Sequence, residues 1–425
     1  MIRTAIVILN WNGRKFLERF LPILVDSINT EEHDQVIVAD NASTDGSIEL
    51  LKEKFPTVQT IELSQNFGFT GGYNRALAQI KAQYYVLINS DIEVSEGWLV
   101  PLLEWMEYHP ECGICSPKLL SWYEKDRFEY AGAAGGYLDE FCYPFCRGRV
   151  MKMTEKDEGQ YDEPAEVQWT TGACLMIRAD LWHELKGLDE RFFAHMEEID
   201  LCWRAKLAGW KINVVPRSVV YHIGGGTLPN ESEYKLFLNY RNNLMLIRNN
   251  YAKTAALHMF FNLASELEPI ENYCSDPFFA AINVFQSAGS DMQSIWLAQS
   301  VKSAQLSAKI LLNTRMVLDG LSAIVYLITG KWKYVRSVWR AHKEFRALRK
   351  EEPEQESVLL WLTKCVDDPK LRIAKTVLGW DAENLYQNVS NKNRFKIKGL
   401  YDSSIIYENL FHKKEIFETI HDSIF

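Results

Sequence analysis

The sequence predicts an α/β fold, a mostly parallel sheet with helices on both faces, followed by a mainly α-helical C-terminal region. Three observations carry this reading. Over the first 125 residues, short apolar runs bounded by turn residues alternate with stretches of helical periodicity. From about residue 235 onward the periodicity is helical almost throughout. The length, 425 residues with 47% hydrophobic content, suffices for two domains and a substantial core. We expect an α/β domain over 1–250 and a helical region over 251–425.

Taken in order, TAIVIL (4–9) reads as the first strand. Residues 14–28 follow as an amphipathic helix with Phe16, Leu17, Phe20, Leu24 and Ile28 on one side. QVIVA (35–39) is the second strand and ADNASTDGS its turn, with Ser47 as the cap of the helix IELLKEKF. VQTIEL (58–63) is the third strand, after which QNFGFTGGYN opens a helix through Ile80. YYVLIN (84–89) is the fourth and most apolar strand, and 95–108 the next helix. The middle, 112–225, is less regular. It has strands near 114–120, 167–178 and 211–221 and an acidic loop at 155–166. In the tail, EEPEQE at 351–356 interrupts the helical pattern.

Composition removes several function classes. A formal net charge of −9 argues against nucleic acid as a partner. The charge is uneven, since 331–350 carries eight Lys or Arg and one Glu, interleaved with Trp332, Tyr334, Val335, Val338, Trp339 and Phe345. That pattern fits an interfacial amphipathic helix attracted to anionic lipid. No run of about 20 uncharged apolar residues occurs, so no membrane span is expected, and the start lacks a signal-peptide pattern. We therefore expect a cytoplasmic protein. Cys112 and Cys115 form C-x2-C, and Cys142 and Cys146 form C-x3-C. Burial of small thiols, with the first pair pointing to opposite faces of a strand, is favoured over zinc or disulfides.

The polar loops starting at Asn10, Asp40, Asn66 and Asn89 all follow strand ends, where α/β sheets bind ligands. Asp40, followed by Asn41, can accept hydrogen bonds from a base or ribose, although such side chains also bond local backbone in turns. The glycine-rich segment Asn66-Phe67-Gly68-Phe69-Thr70-Gly71-Gly72-Tyr73-Asn74 opens a helix, so its backbone amides favour an anion such as a diphosphate. It matches neither G-x-G-x-x-G nor a Walker loop. Asp91, behind Asn89 and Ser90 at the end of the most apolar strand, is costly there unless paired or bound to a hard cation such as Mg2+ or Mn2+. Glu197, Glu198 and Asp200 crowd a helix start, where mutual repulsion raises at least one pKa and suits a general base. His222 ends the next strand, followed by Gly224, Gly225 and Gly226, and is placed for metal or phosphate contact.

Together these segments resemble glycosyltransferase family 2, in its rhamnosyltransferase-like branch of bacterial surface-polysaccharide enzymes. The matches run in order as AIVILNWNG, VIVADNASTDGS, NFGFTGGYN, LINSDIEV, WTTGACLMIRADLW, GLDERFFAHMEEIDLCWRAKLAGWKI and VVYHIGGGT, covering about 4–250. The resemblance implies a GT-A fold and inverting transfer from a dTDP- or UDP-sugar to a lipid-linked or polysaccharide acceptor. It assigns Asp40 to the nucleobase and the segment from Asn66 through Gly68 and Gly72 to Asn74 to the donor pocket, which Asn10, Asn41 and Asn89 also border. Asp91 and His222 become the metal ligands, Glu198 the base, and Trp169 and Gly172 the acceptor side. Asn89 stands where the family's D-x-D has its first acid, and Glu198 stands where it usually has Asp. Residues 262–312 depart from the pattern. The segment 315–345 resembles the membrane-apposed helices of that branch, implying peripheral contact with the inner face of the plasma membrane. Two other readings compete. A sugar-phosphate nucleotidyltransferase should show a basic glycine-rich loop where this chain has NWNGRK. A non-catalytic scaffold would have little reason to keep Asp91, Glu198 and His222.

Overall fold

The computed structural model describes residues 2–28, 32–130, 132–150, 153–224, 232–267, 277–351 and 358–367. The chain divides into two compact units, Met1–Ala205 with Lys211–Lys235, and Lys206–Trp210 with Leu236–Asn384.

The first unit begins with β1 (Ile2–Asn10), α1 (Arg14–Asp26), β2 (Asp34–Asp40), α2 (Ser47–Lys54), β3 (Gln59–Glu62), α3 (Gly68–Leu77) and β4 (Ala82–Ile88). A short β5 (Ile92–Val94), α4 (Leu99–Tyr108) and β6 (Cys112–Ser121) follow. Four small strands come next: β7 (Gly136–Leu138), β8 (Pro144–Cys146), β9 (Arg149–Val150) and β10 (Met153–Thr154), which form a sheet of their own. Then come β11 (Ala165–Glu166), β12 (Cys174–Arg178), α5 (Ala179–Glu184), α6 (Glu197–Leu207) and β13 (Lys211–His222).

The main sheet has the order β11-β13-β6-β12-β4-β1-β2-β3, with β5 pairing the end of β13. Strands β3, β2, β1 and β4 are mutually parallel, as right-handed strand–helix–strand connections require. Beyond β4 the sheet is mixed. β12 runs antiparallel to both its neighbours, while β6 and β13 are parallel to each other. Alternate residues on one face, including Ile6, Ile8, Val36, Val38, Val86 and Ile88, pack with Leu17, Leu21 and Leu24 of α1 and Leu102 and Met106 of α4. This burial supplies the main driving force, at roughly 25 cal/mol per Å2 of apolar surface.

Three local expectations are corrected. Ser47 is the first residue of α2 and Gly46 its N-cap, and Asp45 Oδ1 just before it accepts from Ser47 N at 3.1 Å and Ser47 Oγ at 2.6 Å. Cys112 and Cys115 share one face, because a bulge at Gly113 sets Cys112 opposite Lys211 and Ile114 opposite Ile212. The run 167–178 is broken, with β11 ending before it and β12 starting only at Cys174.

The acidic loop is fastened to the body. Lys118 on β6, itself buried, pairs with Asp157 at 2.5 Å and Asp162 at 2.7 Å.

The second unit contains most of α7 (Glu233–Leu267), then α8 (Pro277–Ser287), α9 (Ser290–Ile328), α10 (Trp332–Glu351) and α11 (Val358–Asp367). Against the expectation of no span, α9 is long and apolar enough to cross a membrane by length and composition. Arg315 and Asp319 interrupt its apolar run in sequence, but both are buried and lie 3.8 Å apart, and Asp319 also receives His342 at 2.8 Å. The interruption at 352–356 and the residues after 367 lie outside the described residues.

Candidate active site

The parallel strands end in a polar floor. β1 and β2 finish in register at Asn10 and Asp40, both buried. Asn10 Nδ2 donates to Asp40 Oδ2 at 2.8 Å, and Ser43 N donates to Asp40 Oδ1 at 2.8 Å. Gly13 leaves space where Asn10 Oδ1 and the Ser90 hydroxyl approach, and Asn10 Oδ1 is buried with no partner among the described residues. Asp40 is thus oriented from below, with acceptor capacity remaining on each oxygen.

The glycine-rich segment does something other than cradle an anion. Asn41 Oδ1 accepts from Phe67 N, Asn66 Oδ1 accepts from Gly68 N, and the carbonyl of Phe193 accepts from both Phe69 N and Thr70 N. Every donor from Phe67 to Thr70, the entry to α3, is therefore taken by protein. The diphosphate reading of these amides is corrected for that reason. Asn41 Nδ2 is likewise committed, to Asn66 Oδ1 and Gly68 O. Gly72 lets α3 approach Leu9 on β1. Asn74 exchanges hydrogen bonds with Leu188 N and O at 2.9 and 2.8 Å, and Arg75 holds Glu190 at 2.8 Å. The segment is a clamp on residues 188–193.

What the clamp holds is a strained turn. Phe193, His195 and Met196 all have positive φ, at 65°, 69° and 69°. Left-handed backbone costs non-glycine residues about 1–3 kcal/mol each and persists only where surroundings enforce it. Directly after it, Glu197 and Glu198 open α6. Oε2 of each is buried without a hydrogen-bond partner among the described residues. Burial pushes Glu198 up to about 7, against the pull of the Glu198 and Ile199 backbone amides. Burial also drives Glu197 well above the carboxylate range, with the Glu198 charge adding to it. Asp200 differs from both. It is fully buried against Arg204 at 2.6 Å, whose guanidinium also donates to the carbonyls of Leu185 and Gly187. Asp200 ties α6 to the preceding loop, which separates it from the other two acids. His195 is held down to about 3, by burial first and then by nearby Lys235, and so is neutral.

Opposite chemistry gathers where β5 doubles back along β13. Ile92 pairs with His222, and Ile223 N donates to Asp91 O. This register sets His222 Nε2 at 3.2 Å from Asp91 Oδ1, with both side chains buried. On the other side, His222 Nδ1 lies 3.4 Å from Oε1 of Glu129, also buried. Burial by itself would lower the imidazole pKa. The two carboxylates reverse this and raise it to about 10.

Gly172 lies against Glu198, since a side chain there would reach 3.5 Å from Glu198 Cβ and from Phe69. Trp169 is turned away. Its indole is buried over Gly136 and donates to Tyr137 O at 3.0 Å, so it supports the small sheet and does not line an open pocket. Asn89 is half-buried, its N–H bound to Ala173 O. Gly225 and Gly226 lie outside the described residues.

Sequence reading missed Glu129, which sits in an unpatterned loop, and Arg149, which faces the buried Cys146. Burial raises the Cys146 thiol, Arg149 opposes it, and Glu129 and Glu198 both add to it. Cys146 thus feels the charges of both Glu198 and Glu129.

Among the described residues no group of three or more His, Cys, Asp or Glu forms a closed metal cage. One carboxylate oxygen and one imidazole nitrogen, Asp91 Oδ1 and His222 Nε2, converge at the sheet end and are the groups that could hold a divalent ion.

Residues 5–161 match the family model of glycosyl transferase family 2. Over that stretch the chain is similar to that family. It is a glycosyltransferase that uses a nucleotide sugar. Over 232 residues it is 28% identical to the N-acetylglucosaminyl-diphospho-decaprenol L-rhamnosyltransferase of Mycobacterium tuberculosis, covering 51% of this chain and 75% of that protein. The rhamnosyltransferase WbbL of Escherichia coli is 26% identical over 215 residues, covering 48% of this chain and 79% of that one. A crystal structure of GalNAc-T7 with UDP, GalNAc and Mn2+ aligns with a TM-score of 0.46 at 16% identity, over 63% of this chain and 52% of that one. A likeness that loose carries no argument about the site.

Proposed function

We propose that this glycosyltransferase is inverting and uses Mg2+ or Mn2+. It would move a sugar, rhamnose first among the candidates, from a dTDP- or UDP-sugar to a hydroxyl of a lipid-linked or polysaccharide acceptor in cell-envelope glycan synthesis. The observation that carries this reading is the unpartnered, near-neutral carboxylate of Glu198, in the same compact unit as the Asp91–His222 pair. The names of the mycobacterial and Escherichia coli relatives support a rhamnosyl group, and the mycobacterial name a lipid-linked acceptor.

The step is a single displacement. Ionised Glu198 takes the proton of the acceptor hydroxyl as its oxygen attacks the anomeric carbon from the face opposite the nucleotide. The new C–O bond forms, the bond to the diphosphate breaks, and the configuration inverts. Asp91 and His222 would hold the divalent ion, which when bound neutralises charge on the diphosphate. Glu197, neutral beside Glu198, keeps a second negative charge from forming there. Asp40, with Asn10 behind it, is assigned to the nucleobase end of the donor. Residues 1–250 form the catalytic domain in this reading, and 251–425 the helical region with its membrane-apposed segment at 315–350.

Peripheral contact with the cytoplasmic face of the plasma membrane rests on α10. Val338, Ala341 and Phe345 are buried. Trp332 and Trp339 are 63% and 65% exposed, beside exposed Lys333, Arg336, Arg340 and Lys343.

The deciding experiment is a thermal-shift panel of UDP, dTDP, GDP and CMP, each with and without Mn2+. A Mn2+-dependent rise with UDP or dTDP is expected. No shift with any nucleotide would overturn the donor-site assignment.

A further inference from the structure

We infer that Glu129 is a positioning residue for His222. Its carboxylate faces Nδ1 and would hold the proton there, so that a divalent ion shared with Asp91 displaces only the proton on Nε2. This inference rests on the function proposed above and adds a residue to it.

An imidazole offers a metal only one nitrogen at a time, and the other must carry the proton. Which nitrogen does so is set by the hydrogen bond the far side makes, so a carboxylate behind a ligating histidine fixes both tautomer and ring orientation. His222 has that arrangement. Nε2 faces Asp91 Oδ1 at 3.2 Å, and Nδ1 faces Glu129 Oε1 at 3.4 Å.

Glu129 is held rigidly for the task. Its N–H donates to Leu119 O, and Phe128 bridges to Leu120, which fastens the loop to β6. β6 lies beside β13, with Leu119 opposite Val220 and Ser121 opposite His222. Gly224, two residues past the histidine, has φ +71°, and a side chain there would reach 3.2 Å from Glu129 Oε1. Glycine thus keeps open the space the carboxylate occupies. A buried carboxylate is costly where an apolar side chain would fold as well. The imidazole of His222 beside it is one partner that offsets this cost.

The test is Mn2+ binding followed by the loss of the free-ion EPR signal. It uses the full chain and its Glu129→Ala, Glu129→Gln and Asp91→Ala variants, with melting temperatures measured in parallel. Glu129→Ala should raise the Mn2+ Kd about 10–100-fold. Glu129→Gln, whose amide oxygen still accepts from Nδ1–H, should recover most of that loss. If Glu129→Ala melts low, Glu129→Leu fills the same volume without an acceptor and should show the same weakened binding.

An unchanged Kd in Glu129→Ala, with binding lost in Asp91→Ala, would overturn this inference and leave the metal site standing. Equal losses in Glu129→Ala and Glu129→Gln would overturn it too, because charge and not alignment would then be at work. A native chain that takes up no Mn2+ would bring down the metal reading and this inference with it.

Discussion

At the level of single side chains, the structure separates three acids that lie within four positions of one another. Asp200 is spent on Arg204, and Glu197 and Glu198 are left with unpartnered oxygens. Glu198→Gln should lower kcat about 100- to 10,000-fold, within the usual reach of general base catalysis, while leaving donor binding intact in a thermal shift. A matching loss in Glu197→Gln alone would move the base by one residue. The pH profile carries a second check. The base works ionised, so kcat should rise with pH, reach half its plateau near 7, the value to which burial lifts Glu198, and level off above it. Stability runs the other way. The unfolded carboxylate loses its proton near its ordinary value of 4.5 and the folded one near 7, so stability is fully present below the first value and falls between the two. Glu198→Gln should therefore gain on the order of 1–3 kcal/mol relative to the native chain above pH 7, read from urea melts at pH 5 and 8. Asp91→Ala should abolish transfer with little change in melting temperature, and retained turnover would remove Asp91 from the site. That an acidic cluster and a strand-end aspartate mattered was legible in the sequence. Which acid is free was not, because that depends on a guanidinium one helical turn away and on two distant carbonyls it also binds.

Among the elements, α3 and the turn before α6 act as one piece. Gly68 has φ +72°, and any side chain there would come within 2.5 Å of the Phe193 ring. Gly68→Ala should cost roughly 1–3 kcal/mol and lower kcat by displacing Glu198, while leaving Mn2+ affinity near that of the native chain. Equal losses in both readouts would mean general unfolding. Asn74→Ala, which removes both bonds to Leu188, should act in the same direction. The glycine run could be seen in the sequence, and a helix was correctly expected behind it. Its partner could not be seen, because the group that fills the helix entry is a carbonyl about 120 residues further on. The left-handed run at 193–196 gives equally little warning, since Phe and Met have no special tolerance for that conformation.

Over the whole molecule, the parallel half of the sheet was readable from strand–helix alternation. The reversal at β12 was not, because a five-residue apolar strand carries no mark of its direction. The tail gave a correct sense of helix but not of facing. Of the apolar residues in 331–350, Val338 and Phe345 turn inward, and Trp332 and Trp339 stay out among the cations. Joint Lys333→Ala, Arg336→Ala, Arg340→Ala and Lys343→Ala changes should weaken co-sedimentation with vesicles containing anionic lipid by about 1 kcal/mol per charge. Binding that ignores both these changes and salt would remove the electrostatic contact from the proposal.

The pairing of β5 with the end of β13 has a consequence for how the protein is born. Asp91 leaves the ribosome about 130 residues ahead of His222, and β13 is the strand that joins β6, β11 and β5 into one sheet. A nascent chain that has already folded β1 to β4 still lacks His222, half of the pair proposed to hold the metal. If that proposal holds, catalytic competence arrives together with closure of the sheet. The same long-range step, slow because the intervening loop must be closed first, is where refolding of the enzyme should regain Mn2+ binding, after helical signal has already returned.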